Sequence, residues 1–225
     1  MKSIIFTIVI YGVIISNVVI AESDVFVKND EQVSGLYHHE YANMWWQWAV
    51  SMNGKESPVR DRTGVKCGVN QIGPVWFLAG GYGSSKIKRK CSIPSDKHIF
   101  FPVINMLYYP LNTNADLSCE SVKKGAALNN KYLSSFKVSI DNQELLNPVF
   151  HRSASKKCFN LIARKANNPQ HSEIYPSATD GYWIMLKPLS TGVHEISFRA
   201  EYNRPGGSYG KMIQDIEYTI EVYEP

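Results

Sequence analysis

The 225-residue chain carries 24 Lys+Arg against 20 Asp+Glu, a net charge of +4, with 44% hydrophobic residues. So small an excess of positive charge argues against nucleic acid as a partner, since that would want basic residues clustered on one face. With a leader set aside, the length suits one domain of the larger all-β kind, and no Pro/Ser/Gly-rich linker or charge block divides it.

Residues 1–21 read as that leader. Lys2 precedes an apolar run from Ile4 to Ile20 that ends at Ala21, before the acidic Glu22. This is the signal-peptide order of positive start, apolar core and small-residue cut. A retained anchor is the competing reading, because the run approaches the ~17–20 residues that span a bilayer. Cleavage after Ala21 is expected, leaving 22–225 as a single domain with no later segment apolar enough to cross a membrane. The expected destination is the periplasm or the medium.

One segment has helical periodicity. From Leu36 to Met52, apolar residues recur at Tyr37, Tyr41, Met44, Trp45, Trp48, Ala49 and Met52, the three-and-four spacing of one face. Ser34 is the expected N-cap and Asn53-Gly54 the expected stop. Trp45 and Trp48 share the face that would cover a sheet. Trp46 points elsewhere, which makes it the ring expected to be partly exposed and able to stack on a sugar. His38-His39-Glu40 is a poor metal site, because adjacent helical residues diverge by about 100°, and surface polar residues are expected there. No metal or cofactor is expected.

Downstream, short β-branched and aromatic runs alternate with turn residues. Val75–Leu78 is the first, closed by Gly80-Gly81-Tyr82-Gly83, which lacks the following Lys-Ser/Thr of a phosphate-cradling loop. The basic run Lys86–Lys90 reads as a solvated hairpin tip. Ile99–Ile104 is a strand whose Pro102 requires an edge or a bulge. Phe136–Ile140, turned by Asp141-Asn142, is followed by Tyr182–Leu186, Val193–Arg199 and Ile213–Tyr223. In the last, Ile216, Tyr218, Ile220 and Val222 alternate with polar residues, as in an antiparallel sheet with one wet face.

The four cysteines are an even set, as in a disulfide framework formed under oxidising conditions. None stands in a Cys-x-x-Cys zinc spacing. Of three possible pairings, nearest-neighbour closure is preferred, joining Cys67 to Cys91 and Cys119 to Cys158. The expected fold is an all-β, antiparallel, jelly-roll-like sandwich with one N-terminal amphipathic helix and two disulfides.

Four stretches carry a resemblance: WWQWA at 45–49, GPVWFLAGG at 73–81, CSIPSDKHIFFPVIN at 91–105 and DGYWIMLKPLSTGVHEISF at 180–198. They resemble a family of secreted, largely uncharacterised microbial proteins of about this size. The resemblance implies export and a β-sandwich, and no mechanism.

No reaction-specifying motif is present, whether Gly-x-Ser-x-Gly or His-Glu-x-x-His. Asp61 and Asn105 are candidates for site loops at one end of the sandwich, with turn formation as the alternative role. With Trp46 and His194 they make up the expected ligand-binding set. Asp180, Glu40 and Glu195 supply further carboxylates. The expected function is a secreted binding module for carbohydrate polymers. The alternatives are an extracellular hydrolase or lyase acting on such polymers, and an envelope or host-facing protein that binds another protein.

Overall fold

A computed structural model describes residues 25–111, 117–145, 147–165, 172–206 and 209–225; the expected leader and its cleavage site lie outside them. The chain is mostly β. Among the described residues, nine strands are formed by Val75–Phe77 (β1), Ile87–Pro94 (β2), His98–Tyr108 (β3), Leu133–Ile140 (β4), Gln143–Glu144 (β5), Arg152–Ala154 (β6), Ala178–Leu186 (β7), Gly192–Asn203 (β8) and Lys211–Tyr223 (β9). Two α-helices among these residues span His38–Ala49 (α1) and Cys119–Ala126 (α2).

The strands form two sheets, ordered β1-β3-β7-β6 and β2-β9-β8-β4-β5. Both are mixed, which corrects the expectation of a purely antiparallel fold: β1 runs parallel to β3, and β2 parallel to β9. The cause is connectivity. Only strands joined by a short turn must run antiparallel, as β4 and β5 do through Asp141-Asn142, where both residues take the positive φ of a tight hairpin turn. Between β1 and β3 the chain crosses to the other sheet to form β2, so it can re-enter in the same direction. Likewise the 187–191 segment is not a hairpin loop, because β7 and β8 belong to different sheets.

Alternation places each strand's apolar residues. Ile99, Phe101, Ile104 and Ile184 from the first sheet share one cluster with Ile196, Phe198, Tyr218 and Ile220 from the second. The Phe101 and Phe198 rings stack across it at 5.0 Å. The opposite face of the first sheet is covered by α1: Tyr41, Trp45 and Trp48 pack on Phe77, Phe100, Trp183 and Met185. Strand β7 is therefore buried along its whole length. Pro102 sits in an interior strand, accommodated by a bulge between Pro102 and Ile104.

Three local expectations need correction. Helix α1 starts after Tyr37, whose backbone N–H is capped by the Glu40 carboxylate, and it ends at Ala49. Ser34 instead adopts positive φ in a preceding turn. The basic run is a strand rather than a hairpin tip: Lys88 and Lys90 face solvent from the edge strand β2, Lys86 and Lys88 pair with Glu217, and Arg89 is buried. Lysines on an exposed edge discourage further strand pairing.

The disulfides are Cys67–Cys91 and Cys119–Cys158. The second ties the first residue of α2 to the segment after β6. Replacing both Cys119 and Cys158 by serine is expected to cost about 2–4 kcal/mol, from the entropy released to the unfolded chain. Urea unfolding checks this, and an unchanged midpoint would contradict it.

Candidate functional site

The aromatic cluster is buried at Trp45 and Trp48, while Trp46 keeps part of its surface exposed, as its position on the helix implies. Trp45 donates its indole N–H to the Leu78 carbonyl at 2.8 Å and Trp48 donates to Val69 at 2.7 Å. Trp46 is half-buried, edge-on to Trp45, and donates to Thr179 Oγ1 at 2.8 Å, which donates in turn to the Met106 carbonyl at 2.6 Å. Its polar edge is thus spent inside the protein.

The other expected site residues lie in separate networks. Asp61 accepts from the backbone of Thr63, Gly64 and Lys66 and from the Thr63 hydroxyl. Burial opposes its charge, but these bonds hold its pKa below the usual carboxylate value, as in a turn former. Asn105 is not in a loop, because β3 continues to Tyr108. It is buried opposite Gly181, where a Cβ on the glycine would come within 2.5 Å of the Asn105 Cα. Trp46 and Asn105 both lie over the β3–β7 pair. Asp61 belongs to a loop whose carbonyl accepts from Arg89 of β2, and His194 belongs to the second sheet.

His194 has the look of a hydrolytic triad: Nδ1 lies 2.7 Å from Asp141 Oδ2 and Nε2 lies 3.5 Å from Ser190 Oγ. The geometry disfavours that use. Nε2 is 2.9 Å from the Ser190 carbonyl, nearer than the Ser190 hydroxyl, so both ring nitrogens face acceptors, an arrangement that favours the doubly protonated ring. Burial opposes the charge, yet the bonds to Asp141 and the Ser190 carbonyl raise the pKa. A ring held between Asp141 and the Ser190 carbonyl is poorly placed to take the serine proton, and the group acts as a clamp joining the Asp141 turn to β8.

A cavity of about 300 Å³ lies elsewhere, between α2 with its following 3₁₀ turn and strand β6. It is lined by Lys124, Ala127, Leu128, Asn130, Lys131 and Arg152. Ser118 caps α2 by accepting from the Ser121 N–H, and Val122 and Ala126 pack on Ala178 of β7. Gly125 allows close approach here, since a Cβ would meet the Tyr108 ring at 2.5 Å. The helix thereby sets Lys124 at its last turn, and the 3₁₀ turn Ala127–Tyr132 carries Asn130 and Lys131.

From β6, Arg152 reaches Asp180 of β7 with both Nε (3.1 Å) and Nη2 (2.9 Å). The Asp180 side chain is only 4% exposed whereas Arg152 is 46% exposed, so the carboxylate anchors a guanidinium that borders the cavity. Behind it Tyr202 donates to Asn130 Oδ1 at 2.6 Å, and the Tyr182 hydroxyl lies 3.5 Å from the Asn130 carbonyl. Burial raises the pKa of Tyr182 and raises that of Tyr202 strongly, so both hydroxyls stay protonated and neither serves as a base. The arrangement can bind negative charge and hydrogen-bond acceptors.

Sequence reasoning named Asp180 as a carboxylate candidate but missed Lys124, Asn130, Lys131 and Arg152. The available signal was Ser118 followed by Glu120 and then Lys123-Lys124, the polarity of a capped short helix. Among the described residues no group of three or more His, Cys, Asp or Glu is placed to hold a metal ion. Nor is any of their helices long and apolar enough to cross a membrane. The chain matches no protein-family model and no curated protein.

Proposed function

We propose that the chain is a secreted binding module of sandwich type that recognises acidic carbohydrate polymers, with the ligand held at the cationic cavity beside β6 rather than on exposed aromatics. One observation carries this reading: three cationic side chains and one amide line a single cavity, and among the described residues none of its lining is acidic. Export is supported by the signal-like segment 1–21, by the two disulfides and by the resemblance to secreted microbial proteins. The two layers meeting across Phe101 and Phe198 support the sandwich. Binding is favoured over hydrolysis or elimination because the groups at the cavity are cations, a paired carboxylate and protonated tyrosines.

Affinity electrophoresis through gels holding acidic or neutral polysaccharides tests this. Acidic polymers are expected to retard the protein and neutral ones not, and Arg152→Gln is expected to weaken retention about fivefold or more. Equal mobility in every gel would end the proposal. Release of new reducing ends from any polymer would replace binding with catalysis.

A further inference from the structure

We infer that the cavity lined by Lys124, Asn130, Lys131 and Arg152 is a subsite for a tetrahedral oxyanion, a phosphate monoester in preference to the planar carboxylate of a uronic acid. The inference deepens the proposed function and rests on it only for the polymer that would carry the group.

The first ground is the state of Arg152. A carboxylate is best met by two parallel N–H groups of a guanidinium. Asp180 already occupies one such edge, with Nε and Nη2 each bonded to its own carboxylate oxygen. What Arg152 retains for a ligand is its outer edge, Nη1 with the second N–H of Nη2, which can meet two oxygens of a carboxylate or of a phosphate alike. The remaining cations are lysines, compact point charges with no planar preference. They come from two different elements, α2 and the 3₁₀ turn, and β6 supplies Arg152. One guanidinium edge and two lysines, set on three elements, match oxygens that project in more directions than the two of a planar carboxylate.

The second ground is Asn130. The residue is 6% exposed, and its Oδ1 accepts from the Tyr202 hydroxyl, so the donor Nδ2 is the amide atom left over. That Nδ2 has no hydrogen-bond partner among the described residues. A buried donor without an acceptor costs stability; the atom is closed off in this state, and a ligand oxygen would satisfy it once the Asn130 side chain turned towards the cavity that it lines.

The third ground is charge. Lys124 and Lys131 are exposed, and among the described residues neither is in an ion pair; Lys131 Nζ lies 5.1 Å from the centroid of the Tyr132 ring. With Arg152 offset by Asp180, the two lysines leave a site with a double positive excess. A phosphate monoester brings close to two negative charges at neutral pH, and a sulfate ester or a carboxylate brings one.

Titration calorimetry on the full mature protein decides the matter with three probes that share one sugar: glucose phosphorylated on its primary hydroxyl, glucose sulfated there, and glucuronate, in which that carbon is a carboxylate. The phosphorylated sugar is expected to bind about tenfold more tightly than glucuronate, with the sulfated sugar between them. Its affinity should fall as pH drops below about 6, where the phosphate takes up a proton; the sulfated sugar should show no such step. Lys124→Gln with Lys131→Gln, both at exposed positions, should weaken the phosphorylated sugar about tenfold while leaving thermal stability unchanged. Glucuronate binding as tightly as the phosphorylated sugar, or indifference to the lysine pair, overturns the inference. If the phosphorylated sugar binds as expected while no acidic polymer retards the protein in gels, the oxyanion subsite stands and the polymer-binding reading fails. If polymers retard both the protein and its double-lysine variant equally, the subsite fails and polymer binding stands.

Discussion

Replacing Trp183 by alanine should lower the free energy of unfolding by about 3–5 kcal/mol, the range for truncating a large buried ring. Trp183 is fully buried in the middle of β7, stacked on Phe100 at 5.3 Å and edge-on to Trp45 at 5.6 Å. It joins helix to sheet, so the cavity left behind would be walled by α1 on one side and β3 on the other, two rigid elements that cannot easily collapse into it. Urea denaturation followed by circular dichroism measures the change. A loss below about 1 kcal/mol would mean that α1 is only loosely attached. The same substitution should leave binding at the cavity of folded protein unaltered, because Val122 and Ala126 of α2 pack on Ala178 in a cluster separate from that of Trp183.

The strands were legible in the sequence wherever burial alternates. Ile216, Tyr218, Ile220 and Val222 of β9 are buried as their spacing requires. Strand direction was not legible, because the pairing of β2 with β9 joins segments more than a hundred residues apart and no local turn records it. The alternation in β2 was also disguised. Arg89 occupies an inward position where the pattern calls for an apolar residue. It is accommodated there because Nε and Nη1 donate to the carbonyls of Asp61 and Ala79, and its guanidinium lies 5.4 Å from the centroid of the Tyr218 ring. A buried cation whose partners are carbonyls far along the chain looks, in sequence, like one more residue of a basic run.

The site was less legible than the fold for a related reason. Trp46, Asp61 and His194 attract attention as residue types, and each is satisfied by protein groups: Thr179, the Thr63–Lys66 turn, and Asp141 with Ser190. What distinguishes the cavity is a set of donors left over after internal pairing. That remainder appears only when Arg152 is seen to be held by Asp180, and Asn130 by Tyr202. Sequence shows which groups a chain possesses; the surplus depends on which of them meet.

Acid should weaken the protein through His38 before the carboxylates titrate. The sequence suggested surface histidines, but His38 faces inward from the first turn of α1, buried and edge-on to Phe100 at 5.8 Å. Burial, followed by the charge of the nearby His151, lowers its pKa from 6.5 to about 4, against a hydrogen bond to the Val27 backbone that favours the proton. The unfolded chain therefore binds more protons than the folded one between these values. Stability from this group is fully present above pH 6.5 and falls as the pH drops towards 4, by about 3 kcal/mol in all. His194 acts in the opposite sense. Its raised pKa gives stability that is present below 6.5 and lost as the pH rises through the folded value, and partial exposure keeps this small. Urea midpoints at pH 7 and pH 4.5, for the protein and for His38→Gln, separate the His38 contribution from carboxylate effects common to both. The native protein should lose about 2 kcal/mol more than the variant over that interval. Equal losses would mean that His38 carries its proton in the folded state and that the space between α1 and Phe100 is wetter than its packing implies.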